Sequence, residues 1–140
     1  MINQKSCGAI IFYKDKEIKY LLLEYKNWWD FPRGLIEENE TEEQAAIREL
    51  KEETGVENPE FIQGFKENIN FFFKVQSELV RKEIVYFLVK VNNLDIKISW
   101  EHKSYAWLTY EEALEKLNFK KSKDILKKAN NTVINSLINY

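Results

Sequence analysis

Hydrophobic and polar positions alternate in the first quarter of the chain and predict a β-hairpin. Residues 6–13 are rich in strand-forming side chains, the polar residues 14–17 are typical of a turn, and residues 18–25 return with three consecutive leucines. The next stretch, 27–35, contains two tryptophans, a phenylalanine, a proline and a glycine. We expect a loop there, because breakers and bulky rings are too frequent for a helix.

The hydrophobic period changes at residue 41, and the sequence predicts a helix over 41–54. Thr41 and Gln44 have the spacing of a capping box, in which the threonine hydroxyl accepts from the amide of Gln44 and the glutamine side chain reaches back. Good helix formers follow, and Gly55 suits the left-handed conformation just beyond a helix end. The arc expected to face the core contains Ala46, Ile47 and Leu50.

The remainder of the chain predicts more strands and then helices. Residues 61–100 alternate and carry β-branched and aromatic side chains, which favours several antiparallel strands. A second capping box at 109–112 opens a short helix, and apolar residues at helical spacing predict a closing amphipathic helix. The order of elements predicts the α+β class, or an α/β/α sandwich with a mixed sheet. The apolar positions of the closing helix are Leu126, Ala129, Val133 and Leu137.

Composition narrows the class of protein. With 140 residues, 44% hydrophobic and 31% charged, the chain fits one globular domain over 1–140 and excludes disordered or collagen-like classes. The net charge of −2 gives no electrostatic signature for general nucleic-acid or membrane-surface binding. The single cysteine, Cys7, and the absence of an apolar run of about 18 residues or of a signal sequence predict a cytoplasmic protein.

Three glutamates on the first predicted helix suggest a metal site. At 100° per residue, Glu49, Glu52 and Glu53 lie within an arc of about 100° beside the core-facing residues. Two like charges 4 Å apart repel by about 1 kcal/mol in bulk water and by about 4 kcal/mol at an effective dielectric constant near 20. A hard cation such as Mg²⁺ or Mn²⁺ would offset this repulsion. The alternative is a solvated surface with ordinary ion pairs to Arg48 and Lys51.

The spacing of these glutamates matches a known signature. The pattern is Gly-x5-Glu-x7-Arg-Glu-U-x-Glu-Glu-x-Gly-U, where U is a bulky aliphatic residue, and every fixed position is met. From this motif the chain is identified as a member of the Nudix family, which hydrolyses nucleoside diphosphates linked to another group. The matching residues are Gly34, Glu40, Arg48, Glu49, Leu50, Glu52, Glu53, Gly55 and Val56.

The resemblance implies a Nudix-type α/β/α sandwich with a central mixed β-sheet and a bound divalent cation, Mg²⁺ with Mn²⁺ as the other candidate. Arg48 would orient Glu49 through a charge-assisted contact, and Glu40 would support the helix entrance. Glu101 matches an acidic residue that reaches the metal from a separate loop, which leaves Glu49, Glu52 and Glu101 as alternative general bases. The implied metal ligands are the carbonyl of Gly34 and the carboxylates of Glu49, Glu52, Glu53 and Glu101.

Further blocks resemble the asymmetric diadenosine tetraphosphate hydrolases of the animal and archaeal type. They are residues 7–13, 21–23, 29–34, 64–66 and 101–108, and they cover most of the chain in the same order. This resemblance implies that water attacks one phosphate of a dinucleoside polyphosphate, and that diadenosine tetraphosphate yields ATP and AMP.

The same resemblance nominates substrate-binding residues. Arg33 stands where the subfamily has lysine, and Phe71 and Phe119 match positions whose rings sandwich an adenine. Stacking on a ring contributes about 1–3 kcal/mol per base. Core packing is the alternative for both phenylalanines. Three further candidates are Lys74, at the position of a second phosphate contact, Lys82, and Trp28, which replaces a phosphate-contacting histidine.

Two other functions stay open from the sequence. The same chemistry could act on the 5′ end of RNA or on nucleoside triphosphates, although the net charge of −2 disfavours an RNA channel. A catalytically silent nucleotide sensor is disfavoured because all the glutamates of the motif are present. The expected partner is a small-molecule nucleotide, with no membrane and no general nucleic-acid binding, and the expected state is a monomer or weak dimer. His102 is interpreted as a structural hydrogen-bonding residue rather than a catalyst.

Overall fold

The computed structural model describes residues 1–138 and contains seven strands and three helices in that range. In chain order the elements are β1 (Ile2–Lys14), β2 (Ile18–Glu24), β3 (Trp29–Asp30), β4 (Arg33–Leu35), α1 (Glu42–Thr54), β5 (Glu60–Val75), β6 (Glu78–Lys90), β7 (Ser104–Leu108), α2 (Tyr110–Lys116) and α3 (Lys120–Ile138).

All seven strands form one mixed sheet. The main path is β3-β2-β1-β6-β5, with β4 paired to β1 and β7 paired to β2. The β1–β6 pairing is parallel and extends from Ile2 opposite Val80 to Phe12 opposite Lys90, whereas the other pairings are antiparallel.

Helices cover both faces of this sheet. Because successive strand side chains point to opposite faces, β1 supplies Ile10 and Phe12 to one core and Ala9 and Ile11 to the other. The first core is closed by α2 and α3, and the second by α1. The prediction of an α/β/α sandwich with a central mixed sheet is therefore confirmed. Among residues 1–138, no helix has the length and apolarity needed to cross a bilayer.

The helix ends follow the predicted capping chemistry. The Thr41 hydroxyl accepts from the Gln44 amide at 3.1 Å, and the Gln44 side chain accepts from the Thr41 amide at 2.9 Å. Gly55 ends α1 in the left-handed region with φ of 74°, and its amide donates to the Lys51 carbonyl. Thr109 caps α2 in the same way as Thr41 caps α1, and the predicted first hairpin is present as antiparallel β1 and β2.

Three predictions differ from the structure. Residues 27–35 are not only a loop, because their backbone pairs with β2 and β1 and forms the short strands β3 and β4. Residues 61–100 supply two long strands that end at Lys90, and β6 also pairs in parallel with β1. Ile47 is 43% exposed rather than in the core, because the buried arc of α1 is rotated toward Ala45 and Glu53.

Candidate active site

A close approach of backbone to side chain places β4 against α1. A Cβ atom added at Gly34 would lie 2.0 Å from the Glu49 Cδ atom, far inside van der Waals contact. Any larger residue at this position would displace the Glu49 carboxylate, and the Gly34 backbone lies directly beside that carboxylate. Strand pairing with Cys7 holds Gly34 in place from the other side.

Arg48 organises the acidic helix. Its Nε and Nη2 atoms donate to the two carboxylate oxygens of Glu40 at 2.6 and 2.9 Å, and its Nη1 donates to Glu49 Oε1 at 2.7 Å. A further bond from Nη2 reaches the Leu35 carbonyl at 2.9 Å. The bidentate contact with Arg48 lowers the pKa of Glu40. One guanidinium therefore orients Glu49 and ties the loop before α1 to the helix, as the motif implies.

Glu49 lies in an environment that favours its protonated form. Its side chain is 12% exposed. Burial raises the pKa of Glu49 to about 7; the hydrogen bond from Arg48 opposes this rise, and the charges of Glu53 and Glu52 add to it. The carboxyl group is thus able to exchange a proton near neutral pH, and any added positive charge would stabilise its ionised form.

The other two glutamates of the cluster have different surroundings. Glu53 is buried, and its Oε2 atom lies 2.5 Å from the Nε2 atom of His102. Its second oxygen, Oε1, is buried without a hydrogen-bond partner. The Glu52 side chain is 57% exposed and lies 3.4 Å from Arg48 Nη1. The three carboxylates share one helix surface, where Glu49 and Glu52 both contact Arg48 and Glu53 contacts His102.

The donor atoms suit a hard divalent cation, although the side chains would have to turn to surround it. Within the described range, no three histidine, cysteine, aspartate or glutamate side chains are gathered closely enough to hold an ion as they stand. Glu49 is engaged by Arg48 and Glu53 by His102. The buried, unpartnered oxygen of Glu53 and the raised pKa of Glu49 both fit a bound cation beside these carboxylates.

Glu101 belongs to the segment between β6 and β7, which lies against the C-terminal end of α1. The amides of Lys97 and Ser99 donate to the carbonyls of Thr54 and Glu53 at 2.9 and 3.2 Å. The Glu101 side chain is exposed and precedes His102 in the chain. The structure therefore brings this segment to the acidic helix, but among residues 1–138 the Glu101 carboxylate forms no hydrogen bond to α1, and its role at the metal stays a prediction.

A cavity of about 490 Å³ opens on the sheet face that α2 and α3 cover, and it contains five of the six predicted substrate-binding residues. Consecutive residues of β4 connect it to the acidic helix: Arg33 lines the cavity, whereas Gly34 faces Glu49. Its lining residues are Trp28, Asp30, Arg33, Phe71, Phe72, Phe73, Lys82 and Phe119.

The aromatic walls of this cavity contact one another. Trp28 stacks on Tyr25 with ring centroids 5.9 Å apart, and Phe119 meets Trp28 edge-on at 6.2 Å. Phe119 is 38% exposed, and the Trp28 Nε1 donor is buried without a partner. Phe71 packs against the first core and also lines the cavity, so its core packing is present and its stacking on adenine stays a prediction.

The two lysines predicted to bind substrate lie in different surroundings. Lys82 lines the cavity and is the β6 residue paired with Phe71 of β5. Burial and the charge of Arg33 lower the pKa of Lys82. Lys74 is exposed, pairs with Leu79 near the β5–β6 turn and is not part of the cavity wall. Lys74 therefore lies outside the cavity that Phe71 lines.

Two buried residues, Asp30 in the cavity wall and Ser122 bonded to it, were missed from the sequence. Asp30 Oδ2 lies 3.2 Å from Arg33 Nη1, and Asp30 Oδ1 accepts from the Ser122 hydroxyl and the Phe31 amide, both at 2.9 Å. Burial raises the pKa of Asp30, and Arg33 opposes this rise. The i,i+3 spacing of Asp30 and Arg33 was a usable signal, but Ser122 lies 92 positions away and no local pattern indicates it.

Comparisons with known proteins agree with this geometry. The NUDIX domain family matches residues 3–129. A mouse protein named bis(5′-nucleosyl)-tetraphosphatase [asymmetrical] is 32% identical, over 87% of this chain and 90% of the relative. An RNA pyrophosphohydrolase of Sulfurovum sp. is 34% identical, over 70% and 69%. The crystal structure of a C. elegans Ap4A hydrolase binary complex superposes with a TM-score of 0.81 at 27% identity, covering 98% of this chain and 99% of that one.

Proposed function

The chain belongs to the Nudix family of hydrolases, and from this premise we propose that it cleaves the phosphate bridge of dinucleoside polyphosphates, with diadenosine tetraphosphate yielding ATP and AMP. The observation that carries the proposal is the position of the aromatic and cationic cavity, one residue along β4 from the acidic helix. Such a cavity suits a base and its phosphates, and the neighbouring carboxylates suit the cation that phosphate chemistry requires.

Nucleotide recognition is assigned to the cavity walls. Phe119 and Phe71 would stack an adenine, and Trp28 would extend the aromatic surface and offer its unpartnered Nε1 donor. Arg33 and Lys82 would place two positive charges against the polyphosphate. Lys74 is retained only as a distal contact for a long substrate, since it lies outside the cavity wall.

The cation is proposed to be Mg²⁺, with Mn²⁺ as the alternative, held by the Gly34 carbonyl and by Glu49, Glu52, Glu53 and Glu101. When bound, a divalent ion neutralises phosphate charge and acidifies water. Oxygen donors alone make up this set, as hard divalent ions prefer.

Glu49 is proposed as the proton acceptor in the hydrolysis. Arg48 holds one of its oxygens, and Glu40 holds Arg48, so the carboxylate is oriented before substrate arrives. The oxygen of water forms a bond to phosphorus, the bond to the bridging oxygen breaks, and the departing polyphosphate keeps that bridging oxygen. The proton of water passes to Glu49. Glu52 and Glu101 then act as metal ligands rather than bases.

We further propose that residues 1–140 act as a single Nudix domain, monomeric or weakly dimeric, in the cytoplasm. The family match over residues 3–129 supports the first point. A buried free cysteine, Cys7, fits a reducing compartment.

Product analysis tests the substrate. The protein with Mg²⁺ is incubated separately with diadenosine tetraphosphate, with ATP and with 5′-triphosphorylated RNA, and the products are separated by ion-exchange chromatography. We expect equal amounts of ATP and AMP from the dinucleotide and slow or no reaction with the other two. Efficient release of pyrophosphate from the RNA would instead favour the function of the Sulfurovum relative and overturn the proposed substrate.

A further inference from the structure

The only histidine of the chain lies in the interior against the acidic helix. The His102 side chain is 1% exposed, and its Nε2 atom is 2.5 Å from Glu53 Oε2. The ring of Tyr25 meets the imidazole edge-on, with ring centroids 4.6 Å apart and an interplanar angle of 90°. The imidazole is therefore fixed by a hydrogen bond at one end and by an aromatic ring beside it.

This hydrogen bond leaves the other Glu53 oxygen available. A carboxylate only accepts hydrogen bonds, so the Nε2 atom of His102 is the donor. Glu53 Oε1 and His102 Nδ1 are both buried without partners. Leaving a buried acceptor unsatisfied costs free energy. A ligand that contacts Oε1 would recover this free energy without first having to orient the carboxylate.

The same histidine belongs to the segment that carries Glu101. The His102 amide donates to the Ser99 carbonyl at 3.2 Å, and the Ser99 amide donates in turn to the Glu53 carbonyl at 3.2 Å. The contact between His102 and Glu53 adds a side-chain connection to these backbone bonds. Glu53, in the last turn of α1, is therefore bonded to the segment that carries Glu101 through both its backbone and its side chain.

We propose that His102 is a positioning residue for the divalent cation: it presents Glu53 with one oxygen free and keeps the Glu101 segment beside α1. This rests on the proposed function, in which Glu53 and Glu101 bind the cation. His102 itself touches neither the cation nor the substrate.

The test measures Mn²⁺ binding without substrate, by the electron paramagnetic resonance signal of free Mn²⁺, in the wild type and in H102Q, H102N and H102F. Glutamine can place an amide nitrogen near the position of Nε2, whereas the shorter asparagine cannot, and phenylalanine keeps the ring without a donor. Thermal unfolding in the absence of metal is recorded for each variant, so that effects on folding are separated from effects on the site.

We expect H102N and H102F to bind Mn²⁺ about 10–100-fold more weakly, the usual effect of losing the hydrogen-bond partner of a metal ligand. H102Q should restore binding close to that of the wild type. If H102N and H102F are folded and bind Mn²⁺ like the wild type, His102 is only structural and the inference is wrong. Equal weakening in all three variants would also overturn it, because the hydrogen bond would then not be the cause.

The variant E53Q separates this inference from the proposed function. Wild-type Mn²⁺ affinity in E53Q would contradict the assignment of Glu53 as a metal ligand, and with it both this part of the proposed function and the positioning role of His102. Weakened binding in E53Q together with unchanged binding in H102N would leave the proposed function intact and refute the positioning role alone.

Discussion

At the scale of single residues, the candidate site combines groups that are each unfavourable without a ligand. Burial and neighbouring charge raise the pKa of Glu49 to about 7, and Glu53 keeps a buried oxygen without a partner. Perturbed carboxyl groups of this kind cluster at functional sites. Their presence on one helix surface, beside the backbone of Gly34, is a physical argument for a cation that does not depend on the sequence motif.

The raised pKa of Glu49 predicts how stability depends on pH in the protein without divalent ions. A carboxyl group whose pKa is higher in the folded than in the unfolded state stabilises the fold at low pH, and this stabilisation is lost as pH rises from about 4.5 to about 7. E49Q does not titrate. Its free energy of unfolding should therefore increase relative to wild type across this interval, by on the order of 1–3 kcal/mol.

Chemical denaturation of both proteins at several pH values, in the presence of a chelator, measures this difference. A difference that stays constant from pH 4.5 to pH 7.5 would show that Glu49 is not buried against like charge. E40Q provides a control in a different pH range: the bidentate contact with Arg48 lowers the pKa of Glu40 below 4.5, so its difference from wild type should change only below pH 4.5 and stay constant from pH 4.5 to pH 7.5.

Gly34 gives a steric prediction. Because an added Cβ would meet the Glu49 carboxylate at 2.0 Å, G34A should displace β4 or Glu49 and lower kcat by at least tenfold. G64A is the matched control: nothing lies within 4 Å of its Cβ, but the φ of 87° makes alanine strained. We expect G64A to lose about 1 kcal/mol of stability and to keep its kcat. Equal kcat in both variants would contradict the close approach of Gly34 to Glu49.

At the scale of elements, α1 was predictable and its surroundings were not. The capping box at Thr41 and the left-handed Gly55 define the helix ends by local chemistry, so the sequence indicated both. The rotation of its buried arc away from Ile47 depends on contacts with β1 and β4, which are distant in sequence. The parallel pairing of β1 with β6 is likewise invisible to a pattern of alternating residues.

A hydrogen bond links the first turn of α3 to the cavity wall. The Ser122 hydroxyl bonds to Asp30, and Asp30 is paired with Arg33, so α3 and the cavity wall share one buried network. S122A removes a hydrogen bond to Asp30, so Asp30 should hold Arg33 less firmly. We expect KM to rise about threefold to tenfold with a smaller effect on kcat, because Arg33 is proposed to bind the ground state and the transition state equally.

Steady-state kinetics with diadenosine tetraphosphate measure this separation of KM from kcat. S136A, on the same helix, serves as the control: among residues 1–138 the Ser136 hydroxyl donates to the Val133 carbonyl, within α3 itself. A loss of stability in S122A with unchanged KM would show that the network supports the core and not Arg33.

At the scale of the whole molecule, the mixed sheet positions both the nucleotide cavity and the acidic helix. Successive residues of β4 face opposite sides of the sheet: Arg33 lines the nucleotide cavity, and Gly34 contacts Glu49 of the acidic helix. The sequence motif indicated the acidic side, and the resemblance indicated most of the cavity. Neither indicated Ser122 or the partner of His102, because the contacts of Ser122 with Asp30 and of His102 with Glu53 join residues 92 and 49 positions apart.

A crystal structure with Mg²⁺ and a non-hydrolysable analogue of diadenosine tetraphosphate tests the central claim most directly. The account predicts one adenine against Phe119 and Phe71, the phosphates near Arg33, and Mg²⁺ between those phosphates and the carboxylates of Glu49 and Glu53. Nucleotide bound at another surface, or phosphates without a cation at these glutamates, would contradict it.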